Sequence, residues 1–308
     1  MNHKYLITII GATGIGKTDL SIKLAKHFNT EVISCDSRQF YKEMRIGTAV
    51  PTKEELQQVK HHFIQNRSIF EDYSVGEFER DALLLLDQLF NNQDVVIMVG
   101  GSGLYVDAVI NGLDHFPKVD TEIRIKLKLE LEENGIKVLQ DRLRILDLEA
   151  YQNIDIENKQ RLVRALEICL GTGKPYSSYL NRKKGNRNFI PIKIGLTADR
   201  AFVYDRINKR VDVMMEKGLL EEASELYINK ELNALQTVGY KELFKYIDKE
   251  ISQSEAVSEI KKNTRRFAKR QGTWFRKDND IEWFEYPVKL DQVTDYLTPL
   301  LMEKNNKD

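Results

Sequence analysis

Gly11-Ala12-Thr13-Gly14-Ile15-Gly16-Lys17-Thr18 is the stretch of sequence that decides the fold. An apolar run at residues 6–10 precedes it, and an apolar helical pattern begins after it at Leu20. The order of strand, glycine-rich loop and helix, with the spacing G-x-x-x-x-G-K-T, is the signature of a phosphate-binding loop. Its glycines let backbone N–H groups face an anion, and the helix N-terminus adds a partial positive charge.

These eight residues are therefore predicted to bind a di- or triphosphate. Lys17 is expected to reach the terminal phosphate oxygens, and the Thr18 hydroxyl is expected to be a ligand of Mg²⁺. The motif alone leaves open whether the phosphate is transferred, is hydrolysed or simply leaves.

The composition excludes several classes of protein. Of the 308 residues, 42% are hydrophobic and 31% are charged, which is typical of a globular protein in water. The 47 Lys and Arg residues balance 47 Asp and Glu residues, so any nucleic-acid-binding surface has to be a local patch. Cys35 and Cys169 are too few for a disulfide framework or a four-ligand zinc site. No apolar run approaches the roughly 18 residues of a membrane span. A cytoplasmic monomer without a membrane partner is expected.

Asp36 is a candidate catalytic residue because it follows a short apolar strand at residues 31–35. The carboxyl ends of parallel strands meet at one edge of a sheet, so Asp36 is expected beside the phosphate loop. A second interpretation is that its carboxylate caps the next helix. The residues by themselves leave both interpretations open.

The predicted strand at residues 94–99 ends in Gly100-Gly101-Ser102-Gly103. Many P-loop hydrolases end this strand with an aspartate that binds magnesium. The glycines therefore disfavour an ATPase or a GTPase. Glycine also lets a bulky group approach the backbone, whereas the simpler interpretation is a tight turn between a strand and a helix.

A change of pattern at residues 114–188 indicates an inserted domain. Three amphipathic helices are predicted in this segment, at residues 122–133, 136–146 and 159–170. The next predicted strand comes only at residues 189–196. The predicted fold is an α/β, P-loop NTPase-like parallel sheet with a helical insertion domain and a helical C-terminal region. Its core comprises residues 1–113 and 189–308.

The helix predicted at residues 261–277 carries eight cations and no acid. They are Lys261, Lys262, Arg265, Arg266, Lys269, Arg270, Arg276 and Lys277. In a chain without net charge this cluster predicts contact with a polyanion. A solvated helix is the alternative, but the acidic partners that its cations would then need are expected to be absent. Two arginine pairs also share a helix face. One or both of Arg206 and Arg210 are expected to point at the phosphate loop, whereas a solvated face is the simpler interpretation of Arg161 and Arg164.

Seven further motifs follow the phosphate loop along the chain. They are Asp36-Ser37-Arg38-Gln39-x-Tyr41, Gly47-Thr48-Ala49-x-Pro51, Gly100-Gly101-Ser102-Gly103-Leu104-Tyr105, Gln160-Arg161-x-x-Arg164-Ala165-Leu166-Glu167, Arg210-Val211-Asp212-x-Met214, Gly239-Tyr240-Lys241-Glu242 and Thr264-Arg265-x-x-Ala268-Lys269-Arg270-Gln271-x-Thr273-Trp274. Together with that loop they resemble the tRNA dimethylallyltransferases, or tRNA isopentenyltransferases, in the family's order over residues 11–274. Ala12 replaces a usual proline, Ser102 stands where threonine is common, and residues 155–158 replace a segment that usually contains proline. The zinc-finger tail of eukaryotic members has no counterpart, so a bacterial form is expected.

The resemblance implies transfer of the dimethylallyl group from dimethylallyl diphosphate to N6 of adenine 37, next to the anticodon, in tRNAs that read codons beginning with U. Asp36 would accept the proton of the adenine amine as a general base. The loop amides, Lys17, Thr18 with Mg²⁺, and Arg210 would stabilise the departing pyrophosphate. The adenine would leave its stack to reach the site, and residues 100–103 would leave room for it.

Contacts with the anticodon stem-loop of tRNA are expected from the insertion, the basic helix and the surroundings of the phosphate loop. The expected contact residues are Asp36, Ser37, Arg38, Gln39, Ser102, Arg124, Gln160, Arg161, Leu162, Val163, Arg164, Gly239, Tyr240, Lys241, Arg265, Arg266, Lys269 and Arg270. Two alternatives remain. One is a P-loop nucleoside or small-molecule kinase that uses ATP, and the other is a non-enzymatic nucleotide switch that binds RNA. A kinase has no use for the clustered cations, and a switch would leave the tRNA unmodified.

Overall fold

A parallel sheet forms the centre of the protein. The structure is a computed structural model and describes residues 3–180 and 187–303. Six strands are formed in these residues: β1 (Tyr5–Gly11), β2 (Val32–Ser34), β3 (His61–His62), β4 (Val95–Val99), β5 (Ile190–Thr197) and β6 (Ile281–Glu285). They lie in the order β3–β2–β4–β1–β5–β6, and every neighbouring pair is parallel.

The central strand β1 leads into the phosphate loop. Every residue of β1 and of its neighbour β4 is buried, as their unbroken apolar runs predict for a parallel sheet covered on both faces. Ile9 near the end of β1 pairs with Val99 on one side and with Ile194 on the other. Helix α1 (Lys17–His27) begins directly after the loop. The predicted P-loop NTPase-like fold is confirmed.

The other helices follow in chain order. They are α2 (Lys53–Gln58), α3 (Val75–Leu89), α4 (Gly103–Asn111), α5 (Thr121–Asn134), α6 (Ile136–Leu146), α7 (Leu148–Asn153), α8 (Lys159–Thr172), α9 (Arg200–Glu216), α10 (Leu219–Leu226), α11 (Tyr240–Ile247), α12 (Gln253–Phe275) and α13 (Leu290–Glu303). The sequence pattern does not reveal α7, because its six residues are too few to show a helical period. The Asp147 carboxylate caps the start of this helix. Among the described residues, no helix combines the length and the apolar character that crossing a membrane requires.

Two compact units divide the described residues, with boundaries after Ile110 and before Arg187. The first contains the sheet, α1–α4 and α9–α13. The second contains α5–α8 around a core of its own, which includes Leu127, Leu139, Leu143, Leu162, Val163 and Leu166. The insertion predicted from the sequence, residues 114–188, begins and ends a few residues later along the chain.

Helix α12 touches the cores on both faces of the sheet. Its Ala268 belongs to the same buried cluster as Ile9, whereas its Phe275 belongs to the cluster that contains Ile10. Because successive residues of a strand point to opposite faces, these clusters cover opposite faces of β1. The C-terminal half of α12 therefore passes over the carboxyl ends of the strands, where the site lies.

Candidate active site

A cleft of about 800 Å³ opens in the first unit, at the carboxyl ends of β1, β2 and β4. The phosphate loop and Asp36 line it, together with residues from Arg45 to Glu55 and with Arg206 and Arg210 of α9. Asp36, expected beside the phosphate loop, lines the cleft with it, and so do both arginines of the pair.

The phosphate loop has the backbone conformation for which its glycines are suited. Gly14 and Gly16 have φ angles of 81° and 107°, a region in which residues with a Cβ are strained. The Lys17 Nζ donates to the carbonyl oxygens of Gly11 and Ala12, at 3.0 and 2.8 Å. The loop therefore provides oxygen partners for its own lysine.

Lys17 and Arg210 make one end of the cleft positively charged. Burial lowers the pKa of Lys17 to about 8, while the Asp36 carboxylate opposes this effect and Arg210 adds to it. Burial also lowers the pKa of Arg210, and the neighbouring Arg206 contributes in the same direction. An anion close to such crowded cations favours their charged forms. This end of the cleft is therefore suited to a diphosphate.

Asp36 is held by a turn that it caps itself. Its Oδ1 accepts the N–H of Arg38 at 3.1 Å, and its carbonyl oxygen accepts the N–H of Gln39 at 3.1 Å. Residues 37–40 form a turn and not a helix, so the interpretation of Asp36 as a helix cap is wrong. The carboxylate also lies close enough to Lys17 to influence its pKa. A base that acts beside the phosphate loop needs this position.

Glu222 of α10 holds part of the cleft wall. Its Oε2 accepts the N–H groups of Arg45 and Ile46 at 3.0 and 2.8 Å. Its Oε1 accepts the N–H of Gly47 at 2.9 Å and the hydroxyl of Tyr240 at 2.6 Å. No motif in the sequence indicates this role, because Glu222 is separated from the segment it holds by about 175 residues.

The glycines after β4 face other parts of the protein. A Cβ on Gly101 would lie 2.2 Å from the Gln271 amide nitrogen, and a Cβ on Gly103 would lie 2.3 Å from the Trp274 ring. Gly100 packs in the same way against a buried cysteine. The interpretation that these glycines leave room for an extruded base is therefore wrong. Glycine is needed here because neighbouring side chains pack closely against the backbone.

Comparisons with known proteins agree on the family. A family model described as IPP transferase matches residues 39–278. The chain belongs to the IPP transferase family. A relative from Christiangramia forsetii named tRNA dimethylallyltransferase is 62% identical, over 95% of this chain and 97% of its own length. A second relative of that name, from Flavobacterium johnsoniae, is 56% identical over 96% and 97%.

Solved structures of IPP transferase relatives have the same fold. The tRNA isopentenylpyrophosphate transferase of Bacillus halodurans is 37% identical, with a TM-score of 0.73 over 98% of each chain. A eukaryotic dimethylallyltransferase, captured acting on tRNA, is 27% identical over 96% of this chain and 78% of its own, with a TM-score of 0.78. The resemblance that the motifs indicate is confirmed.

The basic helix predicted for this IPP transferase family member is α12, and some of its cations have acidic partners. Lys261 lies 2.5 Å from Asp212, and Lys262 pairs with Glu259. The expectation that acidic partners are missing is therefore wrong for these two lysines. The cations of α12 that are exposed to solvent are Arg266, Lys269 and Arg270.

Arg265 and the residues after Asp36 make hydrogen bonds within the protein. The Arg265 guanidinium donates to Asn208 at 2.7 Å, and the Arg38 guanidinium donates to the carbonyl oxygens of residues 233 and 234 at 3.0 Å. The hydroxyls of Ser37 and Ser102 are 3.3 Å apart. These two serines therefore link the turn after Asp36 to the glycine turn after β4.

Two further residues predicted to contact tRNA, Tyr240 and Gln39, serve the packing of the cleft wall. Tyr240 is buried at the start of α11 and its hydroxyl donates to Glu222, so the prediction that its side chain contacts tRNA is wrong. Gly239 is also buried and has no side chain, and its N–H donates to Glu242 at 2.8 Å. The Gln39 amide donates to two carbonyl oxygens of the wall, at 3.2 and 3.0 Å. Lys241, in contrast, is exposed to solvent.

In the second unit, two predicted arginines share one carboxylate. Glu167 of α8 is buried and accepts hydrogen bonds from Arg124 at 2.8 Å and from Arg164 at 2.9 Å. The Arg164 guanidinium also lies over the Phe116 ring, 5.3 Å from its centre. Two cations and one anion leave a net positive charge at this partly exposed place.

The other predicted residues of α8 separate into surface and core. Gln160 and Arg161 are exposed, whereas Leu162 and Val163 are buried in the core of the second unit. The prediction that Leu162 and Val163 contact tRNA is wrong, because buried apolar side chains present no surface to a nucleic acid. Leu162 and Val163 stand at the two unspecified positions of the motif that contains Gln160 and Arg161, and the motif does not show which side of the helix they occupy.

Proposed function

We propose that this chain transfers the dimethylallyl group of dimethylallyl diphosphate to N6 of adenine 37 in tRNAs that read codons beginning with U, and releases pyrophosphate. Membership of the IPP transferase family supports a tRNA acceptor. The observation that carries the proposal is the cleft in which Asp36 lies beside Lys17 and Arg210. We expect a monomer to be the active form, and its tRNA substrate is the reason to expect it in the cytoplasm.

The adenine amine needs a base, because its lone pair is delocalised into the ring. Its nitrogen forms a bond to C1 of the dimethylallyl group while the bond between C1 and the diphosphate oxygen breaks. The nitrogen then loses a proton, and Asp36 is the group proposed to accept it. The loop N–H groups, Lys17 and Arg210 stabilise the negative charge of the departing pyrophosphate.

Mg²⁺ fits the oxygen donors of the cleft as a partner of the diphosphate. Thr18 lines the cleft, and its hydroxyl is the kind of oxygen ligand that this ion prefers. In residues 3–180 and 187–303, no three His, Cys, Asp or Glu side chains form a group that could hold a metal. Thr18 and the phosphates of the substrate would therefore hold the ion, which would neutralise charge on the leaving group.

The tRNA would be held by the exposed cations of α12 and by three arginines of the second unit. These are Arg161 and the two arginines that share Glu167, Arg124 and Arg164. Exposed arginine and lysine bind the phosphate backbone without reading sequence. Adenine 37 has to leave its stack, at a free-energy cost of a few kcal/mol. The contacts to the backbone offset this cost.

A P-loop kinase is the competing function, and the end of β4 argues against it. P-loop NTPases commonly hold Mg²⁺ with an acidic residue at this strand, whereas Gly100 follows β4 in this chain. The family of the chain also favours transfer to tRNA.

Mass spectrometry of tRNA tests the proposed function. The protein is incubated with tRNA, Mg²⁺ and either dimethylallyl diphosphate or ATP. We expect one adenosine to gain a dimethylallyl group with the first donor only, and a tRNA with guanine at position 37 to remain unmodified. Lys17→Ala should abolish the transfer, because the leaving group loses its cation. ATP hydrolysis stimulated by RNA, without modified tRNA, would contradict the proposal.

A further inference from the structure

One side chain of α12 connects the phosphate loop to the glycine turn after β4. The Gln271 Oε1 accepts the N–H of Thr13 at 2.9 Å, and its Nε2 donates to the carbonyl oxygen of Gly101 at 2.9 Å. Only 6% of Gln271 is exposed. Its amide is therefore a buried bridge between the loops that follow two neighbouring strands.

Gly101 makes room for this bridge. A Cβ at position 101 would lie 2.2 Å from the Gln271 Nε2 and 3.2 Å from its Cδ. Contacts of this length do not occur, so any larger residue would displace the amide. The φ angle of Gly101 lies outside the left-handed region. Close packing against Gln271 is therefore the reason for glycine at this position.

Helix α12 is anchored on both sides of Gln271. Ala268 and Phe275 are buried in the cores on opposite faces of the sheet, whereas Lys269 and Arg270 are exposed beside the bridge. A helix fixed at two points moves as one body. A ligand that holds the exposed cations therefore also restrains the buried amide and, through it, the phosphate loop.

We propose that Gln271 is a positioning residue that couples the docking of tRNA on α12 to the binding of diphosphate in the phosphate loop. The inference rests on the proposed function, because tRNA and diphosphate are its two ligands. RNA that restrains α12 also restrains the Thr13 amide, so less conformational entropy is lost when the diphosphate binds. The coupling is reciprocal: each ligand raises the affinity for the other by the same factor.

Calorimetric titration with pyrophosphate and Mg²⁺, with and without an anticodon stem-loop RNA, measures the coupling. For the wild-type protein we expect RNA to tighten pyrophosphate binding at least ~5-fold. Gln271→Met keeps the size of the side chain and loses both hydrogen bonds, so this ratio should fall below ~2-fold. RNA binding in the absence of pyrophosphate should stay unchanged. Gln253→Met, the same substitution at an exposed position of α12, is the matched control and should keep the wild-type ratio.

Gly101→Ala breaks the bridge from the other side. The added methyl group displaces the amide without any change to Gln271, and it should lower the coupling ratio as Gln271→Met does. In the double variant Gly101→Ala/Gln271→Ala, the methyl group enters the space that the shorter side chain leaves. The loss of coupling should then be no greater than in Gly101→Ala alone or in Gln271→Ala alone, because non-additive effects identify one shared contact.

Two outcomes overturn the inference. One is a wild-type protein that modifies tRNA but binds pyrophosphate equally with and without RNA. Another is a Gln271→Met variant that keeps the wild-type ratio, including one in which pyrophosphate binding is weakened by the same factor with and without RNA, because such an effect is local to the loop. A protein that leaves tRNA unmodified contradicts the proposed function instead, and the two failures are distinct because the titrations measure binding alone.

Discussion

Asp36 makes a hydrogen bond that asparagine would keep. Its Oδ1 accepts the N–H of Arg38, and an asparagine side chain accepts such a bond about as well. Asp36→Asn should therefore unfold within about 1 kcal/mol of the wild-type protein and still bind donor and tRNA. It removes the proton acceptor, so the rate of tRNA modification should fall at least ~10²-fold. Single-turnover mass spectrometry measures this rate. Near-normal turnover would show that Asp36 is not the base and that its carboxylate only stabilises the turn.

Lys17 is expected to make donor binding depend on pH. Its pKa is about 8 in the free protein, below the ordinary 10.5 of lysine, and a bound diphosphate favours the charged form. The affinity for dimethylallyl diphosphate, measured without RNA, should therefore fall by up to ~10-fold per pH unit above pH 8. Lys17→Arg is the matched control, because arginine keeps its charge in this range. An equal decline in both proteins would assign it to another group.

The same depressed pKa has an opposite effect on stability. Between pH 8 and 10.5 the unfolded chain binds more protons at Lys17 than the folded chain does, so this residue makes the free energy of unfolding rise with pH. The positive charge of Lys17 therefore favours binding of the donor but lowers the free energy of unfolding.

At the scale of helices, the exposed cations of α12 should set the salt dependence of tRNA binding. Replacing Arg266, Lys269 and Arg270 with alanine should reduce the slope of log affinity against log salt by roughly one unit for each tRNA phosphate that is no longer neutralised. Pyrophosphate binding without RNA should survive. Lys261→Ala with Lys262→Ala is the matched control, because these lysines already pair with carboxylates. Equal slopes in the wild-type protein and both variants would show that the exposed cations of α12 do not contact tRNA phosphates.

Glu222 offers a test of the cleft wall. Glu222→Gln keeps the length of the side chain but turns an NH₂ group toward backbone N–H donors, so the wall between Arg45 and Gly47 should loosen. The KM for dimethylallyl diphosphate should rise ~10-fold, which corresponds to about 1.4 kcal/mol. Tyr240→Phe is the control, since it removes one of four donors and leaves the backbone bonds in place. An unchanged KM in Glu222→Gln would show that the donor does not need this wall.

The sequence predicted elements whose signals are local and missed contacts that are distant along the chain. The phosphate loop is recognisable because its spacing, its strand and its helix are contiguous. Glu222 and Gln271 act on segments about 175 and 258 residues away, and nothing in their own neighbourhoods shows the partner. The predictions that Leu162 and Tyr240 contact tRNA were wrong for a related reason: a motif shows which residue types occur together along the chain but not which positions within its span are buried.

At the scale of the whole molecule, the two units should respond differently to a ligand of the cleft. Each has its own core, so we expect separate unfolding transitions in calorimetry. Mg²⁺ and pyrophosphate at 100 times their dissociation constant should stabilise the first unit by about 2.7 kcal/mol. The transition of the second unit should not move. Lys17→Ala should remove the shift. A single transition would show that the units unfold as one, and two transitions that rise together would show that the ligand also stabilises the second unit.

The free phosphate loop also determines which anions can compete for it. Lys17 already has two carbonyl partners, on Gly11 and Ala12, so one of its three N–H donors is left for an incoming anion. Chloride or acetate can gain little more than this one donor, whereas a diphosphate brings several charged oxygens for the loop amides and Arg210 as well. Competition with the donor should therefore strengthen with the number of phosphoryl groups in the competing anion.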